Sequence, residues 1–133
     1  MPLEVELSWQ GDQRILGRAG SAELLLDGDA SAGPSPVQAL ALALASCMAI
    51  DVVHILSKGR HEPRALRAHL EAERAELEPK RISAVRLRFT VTGDVPAEKV
   101  ERAIALSREK YCSVWHSLRQ DIAFETAFTV TPG

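Results

Sequence analysis

Two cysteines are the only thiols in the chain, and they sit in opposite settings. Cys47 lies in Val37-Gln-Ala-Leu-Ala-Leu-Ala-Leu-Ala-Ser-Cys-Met-Ala-Ile50, a run without formal charge that is almost wholly apolar. Cys112 lies in the polar segment Arg108-Glu-Lys-Tyr-Cys-Ser-Val-Trp-His116. On a helix Cys47, Asp51 and His54 fall at i, i+4 and i+7 and share one stripe. Cys112 and His116 repeat the four-residue spacing. Three chemistries fit these residue types. In a structural reading the thiols are small buried hydrophobes, and Asp51 and His54 mark where a helix leaves the core. In a metal reading Cys47, Asp51, His54, Cys112 and His116 supply zinc ligands, without a C-x-x-C or H-x-x-x-H motif behind them. In a redox reading one cysteine is oxidised to a sulfenic acid and the other resolves it as a disulfide. A reactive thiol needs a nearby cation. Cys47, about three turns into its helix, is too deep for the helix dipole to supply that charge.

The remainder of the composition narrows the setting. A chain of 133 residues is long enough for one domain with a real core, taken as residues 1–133. Apolar residues at 46% and charged residues at 26% are ordinary globular values. A net charge of −2 gives no electrostatic case for nucleic acid or an anionic membrane surface. Two cysteines are too few for a secreted disulfide framework, and no signal-peptide pattern opens the sequence. A reducing, cytoplasmic setting is expected. The apolar stretch from Val37 to Leu56 approaches the length of a membrane span, about 20 residues. Asp51 and His54 fall inside it, however, and both are costly in lipid. A helix buried in a protein core is the expectation, with no membrane partner.

The elements that must position the cysteines follow from periodicity. Residues 3–9 alternate apolar and polar, and with residues 14–17 and 21–27 they predict a β-meander. A loop rich in Gly, Ser, Ala and Pro follows to Pro36. Ser35 as N-cap and Pro36 at the first helical position then open a helix, which Gly59 stops. Residues 65–75 have helical composition but strand alternation, and alternation decides for a strand. Residues 82–92 alternate with Val85, Leu87, Phe89 and Val91 on one side. Pro96 to about Lys110 predicts an amphipathic helix, 112–118 a helical turn, and 121–130 a closing strand. The order βββ–α–ββ–α–α–β indicates an α+β fold with antiparallel sheets packed on a long central helix.

The block Gly33-Pro-Ser-Pro-Val-Gln-Ala-Leu-Ala-Leu-Ala-Leu-Ala-Ser-Cys-Met-Ala-Ile-Asp-Val-Val-His-Ile-Leu56 resembles the central helix of the OsmC/Ohr family, the osmotically inducible and organic hydroperoxide resistance proteins. Lys110-Tyr-Cys-Ser-Val-Trp-His-Ser-Leu118 resembles that family's second-cysteine segment. The Gly-Pro-Ser-Pro start and the Asp four residues after the first cysteine are closest to its OsmC-like branch. The resemblance implies an intertwined homodimer with two sites at the subunit interface. It implies a peroxidatic Cys47, a resolving Cys112 and an external dithiol reductant, with no metal, haem or flavin cofactor. It also implies an Arg from the N-terminal strands that stabilises the thiolate, with Arg14 the first choice and Arg18 the competitor. The family's Glu that holds this Arg is absent. Gln38 stands in that stretch, and its amide can bond a guanidinium but cannot neutralise it.

The expected function is a thiol-dependent peroxidase acting on organic hydroperoxides or hydrogen peroxide in oxidative-stress defence. The alternative is a dimer of the same fold, without efficient peroxidase activity, that binds a small apolar or electrophilic ligand at the interface.

Overall fold

The computed structural model describes residues 2–133. Contacts divide the chain into two compact units, one running to Leu42 and the other covering Ala43–Gly133. The first holds an antiparallel meander of β1 (Glu6–Trp9), β2 (Arg14–Ala19) and β3 (Ala22–Asp27), in that order across the sheet. The predicted helix, α1 (Pro36–Lys58), begins in the first unit and ends in the second.

The loop between β3 and α1 is organised by one carboxylate. Asp27 is buried to 2% exposure. It accepts hydrogen bonds from Asp29 N–H at 2.9 Å, the Ser31 hydroxyl at 2.9 Å and Ala32 N–H at 3.0 Å. Led by the bond from Ala32 N–H, these donors hold its pKa down from 3.8 to about 2. Gly33 then passes so close to the Leu25 carbonyl that a Cβ there would collide with the backbone. The Gly-Pro-Ser-Pro block thus begins where only glycine fits. Its serine closes a capping box: Ser35 N–H donates to Gln38 Oε1 at 2.9 Å, and Gln38 N–H donates to Ser35 Oγ at 3.2 Å.

In the second unit β4 (Ala65–Arg74), β5 (Ile82–Thr92) and β6 (Ala123–Thr131) form a sheet in sequence order. β4 confirms that alternation outweighs helical composition. β5 buries Val85, Leu87, Phe89 and Val91 on one face. Against them lies a stripe of α1, Leu44, Met48, Val52 and Leu56, each at most 2% exposed. The i, i+4 spacing makes these four one ridge, and burial of each is worth about 1.5–3 kcal/mol. Truncation of Met48 to Ala would cost about 2–5 kcal/mol by transfer and cavity terms together.

The architecture is α+β, as expected, with two sheets and a long helix. One pairing differs from the antiparallel expectation. β4 and β5 are antiparallel, but β5 and β6 are parallel. A parallel pair needs a long crossover, and residues 97–118 supply it through α2 (Ala97–Leu106), a π turn (Ser107–Tyr111) and α3 (Ser113–His116). The helix predicted to reach Lys110 therefore ends as an α-helix at Leu106 and widens for one turn. α1 also departs from the picture of a helix buried all round. It is long and apolar enough to cross a membrane by length and composition, yet Leu42 and Ile50 stand 61% and 67% exposed.

Candidate active site

Cys47 and Cys112 meet in the second unit. Cys47 sits on α1 immediately before Met48, half-buried at the border of the buried stripe. Cys112 is fully buried in the same core. It occupies the joint between the π turn and α3, with extended backbone at φ −73°, ψ 97°. Its N–H donates to the Ser107 carbonyl at 2.7 Å, closing the π turn. Its Sγ accepts from Trp115 N–H at 3.3 Å and so caps α3. Both thiols are free. Burial pushes the Cys112 pKa up from 9.0 to about 11, and the neighbouring Cys47 thiol adds to the rise. Near neutral pH Cys112 is therefore a protonated thiol.

The crossover is pinned around Cys112 by aromatic and polar contacts. Trp115 is 5% exposed and stacks on Phe124 of β6 with ring centroids 4.6 Å apart, tilted by 49°. The Arg108 guanidinium lies 4.7 Å from the Phe124 centroid. His116 Nε2 is 3.0 Å from the Arg108 carbonyl, and Gln120 donates to the Trp115 carbonyl at 3.0 Å. His116 is thus engaged with main chain. Among the described residues no cluster of three His, Cys, Asp or Glu side chains is arranged to hold a metal ion.

The predicted stripe on α1 is split by the fold. Asp51 is half-buried and accepts a 2.7 Å hydrogen bond from the buried Ser107 hydroxyl. His54 is exposed. Ser107 had no sequence signal, because a serine in an amphipathic helix ordinarily reads as a surface residue.

In the first unit Arg14 and Asp27 are cross-strand partners, with Arg14 Nε 3.7 Å from Asp27 Oδ2. Arg18 pairs instead with Glu23 at 2.8 Å on the exposed face. Gln38 Oε1 accepts from Ser35 N–H, so this amide serves the start of α1. The acid beside Arg14 is Asp27, which sequence reasoning passed over as a strand-ending residue. The register Arg14↔Asp27 is the signal that locates it, and register is visible only once the meander is paired.

The model of the family described as OsmC-like protein matches residues 27–127. Protein YhfA of Escherichia coli is 35% identical over 131 residues, covering 96% of this chain and 98% of YhfA. A crystal structure of a hypothetical protein from Aquifex aeolicus superposes with a TM-score of 0.93 at 28% identity, covering 100% of this chain and 98% of that one. An organic hydroperoxide resistance protein OsmC from Legionella pneumophila superposes with a TM-score of 0.72 at 15% identity, covering 97% of each chain. That last likeness is one of fold.

The two thiols should be separable by alkylation of the native, reduced protein. Iodoacetamide at neutral pH is expected to label Cys47 well before Cys112, because Cys112 is both buried and protonated. Labelling of Cys112 should rise with pH towards about 11, as the thiolate forms, and should become rapid at any alkaline pH after denaturation. Equal labelling of both thiols in the native state at neutral pH would contradict this geometry.

Proposed function

We propose, for a chain that belongs to the OsmC-like family, a thiol-dependent peroxidase with Cys47 as the attacking residue and Cys112 as the resolving one. The observation that carries the reading is the pair itself: two free thiols, neighbours in one core, of which one is more accessible and the other buried and protonated. The Cys47 thiolate attacks the outer oxygen of a hydroperoxide. The O–O bond breaks, Cys47 becomes a sulfenic acid, and the leaving alkoxide takes up a proton to depart as an alcohol. With hydrogen peroxide the departing species is water. The Cys112 sulfur then attacks the sulfenic sulfur, and its proton joins the displaced hydroxide as water. An external dithiol reduces the Cys47–Cys112 disulfide and is itself oxidised.

The family resemblance assigns Arg14 to stabilise the Cys47 thiolate. Asp27, held anionic by its donors, fits the role of the acid that orients this guanidinium. A second copy of the chain is the proposed partner. Leu3, Val5, Leu7 and Trp9 in the N-terminal segment are more than half exposed, and exposed apolar side chains of this kind support a protein partner. The two free thiols support a cytoplasmic setting for this chemistry, where reduced thiols are maintained.

Titration of the reduced protein with cumene hydroperoxide is expected to consume two thiols per chain and to leave a Cys47–Cys112 disulfide in peptide maps. Survival of both thiols in excess peroxide would overturn the peroxidase reading in favour of ligand binding by the same fold. Arg14→Ala should slow oxidation of Cys47 by peroxide, and an unchanged rate would remove Arg14 from the site. Light scattering on a sizing column should report twice the chain mass; a monomer at micromolar concentration would exclude the dimer.

A further inference from the structure

We propose that Asp51 is a positioning residue for the resolving thiol, acting through Ser107. The proposal rests on the peroxidase reading of the cysteine pair and adds a second tie between the elements that carry it. Asp51 lies one helical turn beyond Cys47 on α1. Ser107 lies five residues before Cys112, at the other end of the π turn. Its hydroxyl donates to Asp51 Oδ2 at 2.7 Å, and its carbonyl accepts the Cys112 N–H at 2.7 Å. Asp51 is thus linked to Cys112 by a side-chain bond, one residue and a main-chain bond. It is a side-chain hydrogen bond from the crossover to α1, made one turn beyond the place where Cys112 neighbours Cys47. Ser107 is fully buried, so a hydroxyl without this acceptor would be stranded, and a bond to a carboxylate is among the stronger kinds.

The consequence is kinetic and falls on one step. Disulfide formation brings the two sulfurs to about 2.05 Å, and the capping bond from Trp115 N–H competes for the Cys112 sulfur as it moves. With Ser107 fixed to α1, the near end of the π turn stays in place and Cys112 turns about its far end toward Cys47. Without the tie the whole turn is free to drift, and the second thiol reaches the sulfenic acid less often. Attack of Cys47 on the peroxide makes no use of this bond.

The two steps can be read apart on the full chain. Alcohol release in a single turnover reports the first, and competition between dimedone trapping of the sulfenic acid and disulfide formation reports the second. Ser107→Ala and Asp51→Ala are expected to leave the first rate within about twofold and to slow closure about 10-fold or more, the scale of one lost hydrogen bond to a charged group. Asp51→Asn retains an acceptor oxygen and should recover most of the closure rate. A general packing defect would slow both steps together and would not be rescued by Asn. Unchanged closure in both Ala variants, or parallel loss of both steps, would overturn the proposal. Diamide, which oxidises a dithiol to a disulfide and is reduced to its hydrazine, supplies a peroxide-free version. If wild-type protein gives no sulfenic acid with peroxide, the peroxidase reading fails. The same variants compared under diamide then decide the Asp51 proposal alone: slower closure in the Ala variants sustains it and equal closure sinks it.

Discussion

Everything about the site depends on the seating of one helical ridge. Leu44, Met48, Val52 and Leu56 lie against the apolar face of β5, and a helix cannot rotate without withdrawing all four. That seating fixes the direction of the neighbouring stripe, so Cys47 and Asp51 are held at the edge of the core and turned toward the crossover. The placement of both side chains thus follows from a packing constraint that contains no reactive group.

The two cysteines show how one core gives two thiols different characters. Cys112 is enclosed by apolar side chains and caps a short helix through its sulfur, a setting that favours the neutral thiol. Cys47, one residue off the buried ridge, keeps an open side. Burial therefore does not merely shelter the pair. It leaves one thiol partly open and keeps the other neutral within the core.

Local patterns in the sequence were enough to locate every strand and each α-helix. Alternation found β4 against its helical composition, and Ser35-Pro36 announced the start of α1 because capping is chemistry between residues three apart. What the sequence did not disclose depends on partners distant in the chain. Alternation says which face of β6 is buried but is blind to strand direction, so the parallel pairing with β5 went unread. The π turn is set by a 2.7 Å bond from Cys112 to Ser107, which leaves the amphipathic pattern of α2 intact up to its last turn. The cysteines were visible as candidates from their contrasting neighbourhoods. Asp27 beside Arg14 and Ser107 beside Asp51 were not, because each acquires its role only through strand register or tertiary contact. The exposed apolar residues of α1 likewise made the helix read as wholly buried, because composition cannot distinguish a core face from an exposed one.

The parallel pairing of β5 and β6 has a consequence for how the molecule is made. Cys112 rides on the connection between those strands, and such a connection closes late, since contacts between distant segments must overcome the entropy of a long loop. During synthesis and early folding the two thiols therefore belong to separate pieces of chain. Their meeting coincides with completion of the sheet, so the two thiols become neighbours only when the surrounding core is already able to restrain them.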